Sequence, residues 1–325
     1  MGMRNFYSLI VLFAALAFPC DIQANSGNPE GVISSEMVVF NGADSLYGTL
    51  LLPKGIERPP IVLVIAGSGP TDRNGNQFGM VNNSLKFFAH DLAEKGIASV
   101  RYDKRGVGKS TSMQPESELL FEHFIDDAAC WISELEHTSR FSDIFIAGHS
   151  EGALIGIVAA KRGGVNGFIS IAGVGRRIDE VILEQLSPYP EVMVNASKAI
   201  LDSLLVGKSV TNVSPLLYSL FRPSVQPYMI SWLKYNPAEQ LAQLTIPKLI
   251  IQGTTDIQVQ VKDAELLKLA NPNAELVIIE GMNHVLKYAD AERTQNANTY
   301  SNPELPVVPE MVDTISEFIL KYSEY

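Results

Sequence analysis

Short apolar runs alternate along this chain with stretches whose apolar residues recur every third or fourth position. Residues 37–40 and 46–52 read as two strands joined by a turn at Asn41-Gly42. Ile61-Val62-Leu63-Val64-Ile65 is uninterrupted and rich in β-branched residues, bounded by Pro60 and Gly67. Such a run suits a strand covered on both faces, as in a parallel sheet. Residues 83–95 place Leu85, Phe88, Ala89 and Leu92 on one helical stripe that Gly96 terminates. Further strands are expected at 97–102, 142–147 and 167–172, with helices at 121–135 and 153–162 between them. Strand–helix alternation of this kind predicts an α/β fold, a mostly parallel sheet flanked by helices with right-handed crossovers.

The rhythm breaks at Arg176. Residues 176–246 show helical spacing without a strand, and Pro188, Pro190, Pro215, Pro223, Pro227 and Pro237 limit the helices to short ones. Alternation then resumes, with strands at 248–252 and 275–280 and helices at 261–269 and 309–322. The reading is one core built from 25–175 and 247–325, with 176–246 inserted as a helical cap. A separate helical domain is the alternative.

Residues 1–24 read as a secretory signal. Arg4 precedes an apolar run over 6–18, too short to span a bilayer as a helix, and Ala24 supplies a small residue for cleavage. The alternatives are an uncleaved anchor, or acylation at Cys20, for which the preceding Phe18-Pro19 is a poor context. An exported protein, periplasmic or secreted, is therefore expected, with no stable membrane insertion after cleavage. Of the two cysteines only Cys130 would survive, so packing rather than a disulfide must hold the fold. The 325 residues are 46% hydrophobic and 19% charged, an ordinary globular composition. A net charge of −11 without a basic cluster excludes a nucleic-acid partner.

Gly148-His149-Ser150-Glu151-Gly152 is a G-x-S-x-G pentapeptide. Alone it is weak, since chance supplies it in about one chain in ten of this length. Here it lies between a predicted strand and a predicted helix, the setting of a nucleophile elbow. A serine hydroxyl needs an adjacent base. Of the five histidines, His90, His123 and His137 fall on predicted helices or their ends, and the elbow is expected to turn the His149 side chain elsewhere. His284, in Gly281-Met282-Asn283-His284, follows a strand at the sheet edge where α/β proteins bind ligands. Asp256 follows the strand at 248–252 and is the expected orienting acid, preferred to Asp263 within the next helix. Backbone amides of Glu151 and of Ser68, in Ala66-Gly67-Ser68-Gly69-Pro70, are the expected oxyanion donors, with Gly67 second to Ser68.

Asp103 and Arg105, in the glycine-rich segment 103–110, are expected to tie loops together, and Cys130 to act as a small buried hydrophobe. No nucleotide loop or zinc spacing occurs, so no metal and no cofactor is expected. In the cap, Phe221, Tyr228 and Trp232 are candidates to line a substrate pocket, or simply to pack the cap onto the core.

These motifs, together with Tyr102-Asp103-Lys104-Arg105-Gly106 and Gln252-Gly253-Thr254-Thr255-Asp256, resemble the α/β-hydrolase superfamily. The likeness is to bacterial carboxylesterases of the serine-aminopeptidase-like (S33-type) branch, over roughly 36–325. It implies a Ser150–Asp256–His284 triad and an acyl-enzyme route. Two departures stand out: Ala66-Gly67 where relatives often carry His-Gly, and Glu151 where they carry Leu or Met. The expected activity is hydrolysis of short- to medium-chain carboxylic esters, with a small-molecule ester as partner. An aminopeptidase or amidase would need an acid to hold a free amine, for which Glu184, Glu191 and Glu239 are candidates. A non-catalytic binding protein is the remaining alternative.

Overall fold

A computed structural model describes residues 31–324. The signal-peptide reading of 1–24 lies outside them. The chain runs β1 (Val32–Asn41), β2 (Asp44–Pro53), β3 (Ile61–Ile65), α1 (Ser84–Glu94), β4 (Ala98–Tyr102), α2 (Phe121–Thr138), β5 (Ile144–His149), α3 (Glu151–Ala160) and β6 (Gly167–Ile171). Five helices follow: α4 (Ile178–Leu186), α5 (Glu191–Leu205), α6 (Tyr218–Phe221), α7 (Gln226–Trp232) and α8 (Pro237–Ala242). The core then closes through β7 (Lys248–Gly253), α9 (Val261–Ala270), β8 (Glu275–Ile279), α10 (Arg293–Asn298) and α11 (Pro309–Tyr322).

The eight strands form one sheet in the order β1-β2-β4-β3-β5-β6-β7-β8. β2 runs antiparallel to both of its neighbours, and every pair from β4 onward is parallel. β3 and β5 lie side by side at the centre, with Ile65 opposite Gly148, so the loops that leave both strands emerge together.

Successive side chains of a strand face opposite sides. Ile61, Leu63 and Ile65 therefore join the apolar cluster under α2, α3 and α9, whereas Val62 and Val64 join the one under α1 and α11. All five are buried, which explains the unbroken apolar run. α3 is apolar on every side because β3, β5, the cap and α2 surround it.

Between β6 and β7 the described residues are helical, and the prolines sit where helices start. Pro215, Pro223, Pro227 and Pro237 each occupy a first-turn position, where the missing N–H costs nothing. Leu201, Leu220, Phe221 and Trp232 of this insertion belong to the same buried cluster as Phe121, Trp131 and Leu154 of the core.

Candidate active site

Ser150 sits at the junction of β5 and α3 with φ 54° and ψ −121°. A non-glycine residue there carries roughly 1–3 kcal/mol of backbone strain, which the surroundings must enforce. The enforcement is close packing. A Cβ on Gly148 would lie 2.3 Å from the Gly152 carbonyl oxygen, and one on Gly152 would lie 2.3 Å from that of Ile65. The Ser150 amide donates to the Ile171 carbonyl at 2.9 Å, hooking the turn onto the end of β6. The hydroxyl is thus carried to the N-terminus of α3, where the helix dipole favours negative charge.

Asp256 stands in the loop after β7, with its side chain almost fully buried. Its Oδ1 accepts amides from Gln258 at 2.8 Å and Val259 at 2.9 Å, and its Oδ2 accepts the Gln252 amide at 3.0 Å. Oδ2 also meets His284 Nδ1 at 2.8 Å. Burial pushes this carboxyl up, but His284 and the two backbone amides outweigh it and hold it below the usual carboxylate range. With Nδ1 committed to Asp256, the basic lone pair of His284 is on Nε2. The loop after β8 that carries His284 is pinned by Asn283, whose side chain donates to Asn296 and Thr299.

His149 contradicts its sequence-based expectation. Its Nε2 lies 2.8 Å from the His284 carbonyl, and the two rings lie 4.8 Å apart between centroids, tilted by 49°. Burial, then the neighbouring His284, pushes its pKa down to about 3, so it is neutral and donates to that carbonyl. The elbow turns this side chain toward the base's loop rather than away from it.

A cleft joins Ser150, His149 and His284 to Gly67 and Ser68 of the loop after β3. Gln77, Asn82, Gln258 and Tyr300 add polar groups to its wall. A second cleft lies on the other side of that loop, against Gly69 and Pro70. Leu119, Phe124, Val225 and Tyr228 make its wall largely apolar.

Tyr228 lines the second cleft and donates its hydroxyl to Glu151, the residue after the serine. Phe221 and Trp232 line neither cleft. The structure places both in packing instead: Trp232 lies parallel to and offset from Phe121, with ring centroids 5.6 Å apart, and Phe221 is wholly buried in the same cluster. Helix α7 turns Tyr228 to the second cleft and Trp232 to the core.

The acids suggested for holding an amine are engaged elsewhere. Glu184 pairs with Arg176 and Lys262, and Glu239 takes the Asn236 amide. None of Glu184, Glu191 and Glu239 lines either cleft. Asp103 and Arg105 do tie loops: Asp103 holds Arg73, and Arg105 bridges Asp44 and Asp127. Asp263 is bound by Arg176 and the Gly175 amide, away from His284. Among the described residues no group of His, Cys, Asp and Glu could hold a metal ion.

Sequence reasoning passed over Lys104. It is buried to 3% exposure, and its Nζ donates to the Gly67 carbonyl at 2.5 Å. The available signal was a lysine two residues past the end of β4, at the ligand-binding edge of the sheet.

An eight-stranded sheet with only β2 reversed, a strained serine between β5 and α3, and an acid and a histidine after β7 and β8 together decide the architecture. The chain has the α/β-hydrolase fold. Solved structures agree: esterase Pf2001 of Pyrococcus furiosus superposes with TM-score 0.61 at 16% identity, over 95% of this chain and 99% of that one. Est1E from Butyrivibrio proteoclasticus, solved with ferulic acid bound, gives 0.60 at 18% identity, over 88% and 98%. A family profile described as serine aminopeptidase, S33, matches residues 79–220. That span contains Ser150 but neither Asp256 nor His284. Esterase EstD of Thermotoga maritima is 29% identical over 280 residues, 82% of this chain. The chain spans 63% of the length of that relative.

Proposed function

We propose that the chain is an exported serine carboxylesterase acting on short- to medium-chain esters. The observation that carries this reading is the 2.8 Å contact between His284 Nδ1 and Asp256, in a cleft that His284 shares with the strained Ser150. The likeness to EstD supports ester hydrolysis over amide hydrolysis. Export rests on residues 1–24 alone, with Arg4 ahead of the apolar run.

In this mechanism Ser150 Oγ attacks the ester carbonyl carbon while His284 Nε2 takes its proton. Asp256 holds the imidazole and balances the imidazolium that forms. The carbonyl oxygen becomes an oxyanion facing the amides of Glu151 and Ser68. Collapse breaks the bond to the leaving oxygen, which takes the proton from His284 and departs as the alcohol. A water then gives a proton to His284, attacks the acyl-serine, and the proton returns to Ser150 as the acid leaves.

Ser150→Ala should abolish hydrolysis of 4-nitrophenyl butyrate with folding intact by circular dichroism. Undiminished turnover in that variant overturns the proposal. A precursor of unprocessed length in the membrane fraction would count against export with cleavage at residue 24.

A further inference from the structure

A buried ammonium without a carboxylate partner is costly, and proteins rarely retain one without use. Lys104 is such a group. No ion pair within 4 Å reaches it among the described residues, and its one hydrogen bond goes to the Gly67 carbonyl at 2.5 Å. Phe124 covers it, with the ring centroid 5.8 Å from Nζ. Burial lowers its proton affinity and the Glu151 carboxylate opposes that shift.

The carbonyl that Lys104 grips belongs to the peptide joining Gly67 to Ser68. No peptide bond in the described chain is cis. In a trans peptide the C=O and N–H point in opposite directions across a rigid plane. Fixing the Gly67 oxygen therefore fixes the direction of the Ser68 N–H. On the other face of the same loop stands the elbow: a Cβ on Gly67 would meet Ser150 Cβ at 3.1 Å and His149 Nδ1 at 3.2 Å. The peptide is held between an ammonium and the serine turn. The Ser68 carbonyl is separately held by Thr71 Oγ1 at 2.7 Å and Gln77 Nε2 at 2.9 Å.

We propose that Lys104 is a positioning residue for ester hydrolysis: through the Gly67 carbonyl it orients and polarises the Ser68 N–H as an oxyanion donor. This rests on the assignment of Ser150 as nucleophile and Ser68 as donor. The positive charge on the carbonyl draws electron density from the shared peptide, so its N–H becomes a stronger donor. It also offsets the Glu151 carboxylate, whose negative charge next to the serine would otherwise oppose an oxyanion. Lys104 touches no reacting atom, and its effect belongs to the transition state because only there does the oxygen carry full charge.

The test compares wild type, Lys104→Met and Lys104→Gln in 4-nitrophenyl butyrate hydrolysis. Met keeps the stem and removes the charge, and Gln keeps a neutral donor. Loss of a single oxyanion donor costs 10²–10³ in kcat, so weakening one through its peptide should lower kcat about 10- to 100-fold in Lys104→Met with KM nearly unchanged, and less in Lys104→Gln. A trifluoromethyl ketone, which captures Ser150 as a tetrahedral oxyanion, should lose affinity in step with kcat, while the matching alcohol, which forms no adduct, should not. Should Lys104→Met fail to fold, Lys104→Gln carries the comparison. A kcat within about threefold of wild type, equal losses for ketone and alcohol, or failure of both variants to fold would each overturn the proposal. Absence of turnover in wild type sinks the esterase assignment itself, whereas near-wild-type turnover in Lys104→Met sinks only this inference.

Discussion

At the scale of single residues, chemistry depends on which nitrogen of His284 is basic. The Asp256 contact at 2.8 Å fixes the proton on Nδ1, and Gln252, Gln258 and Val259 fix Asp256 in turn. Asp256→Asn can present its amide to Nδ1 and so favours the wrong tautomer. We expect kcat on 4-nitrophenyl butyrate to fall about 10³- to 10⁴-fold with KM little changed. A loss under about tenfold would mean that another acid orients the histidine. His149 shows how far one side chain's placement exceeds its local sequence. Its position beside the serine was plain, but the direction of its ring depends on the strained φ of Ser150 and on a loop 135 residues further along the chain.

Among the elements, the elbow and the cap make different demands. The elbow needs bare backbone where β3, β5 and α3 converge. Gly152→Ala would press a methyl group to within 2.3 Å of the Ile65 carbonyl oxygen and 2.7 Å of that of Ala66. Backbone cannot yield as a side-chain tip can, so we expect a loss of about 2–4 kcal/mol in urea unfolding, with activity lost along with it. A variant as stable as wild type would show that the turn has room the packing denies. The cap needs apolar mass. Trp232 stacks on Phe121 of α2 and carries the insertion onto the core. Trp232→Ala should cost about 3–5 kcal/mol in urea unfolding and leave KM unchanged. Unaltered stability with a raised KM would return Trp232 to the substrate pocket.

For the molecule as a whole, pH acts through groups buried in their neutral form. Burial, helped by Arg101 and Lys86, pushes His90 down to about 4, and burial pushes His149 down to about 3. Below the ordinary histidine value of about 6.5 the unfolded chain binds protons at these sites and the folded chain does not. Stability should therefore fall as pH drops from about 6.5 toward 4, by up to about 2 kcal/mol per histidine at pH 5. His90→Gln should unfold in urea with a shallower pH dependence between 7 and 5, and an unchanged slope would mean that His90 titrates normally in the fold. The sequence by itself determined the alternation of elements, the helical insertion between β6 and β7 and the residue types at three strand ends. Those follow from local period, from proline and glycine placement and from chain order. Tertiary structure decided the rest. β1 starts at Val32 rather than 37 because it is an edge strand paired along its whole length with β2, its exposed Ser34, Ser35 and Glu36 giving no apolar signal. Phe221 and Trp232 went to the core, His149 to the His284 carbonyl and Lys104 to the Gly67 carbonyl. Hydrophobic period states that a side chain is buried, but which atoms it meets is set by how loops from distant strands converge at one edge of the sheet, and that convergence exists only once the sheet has formed.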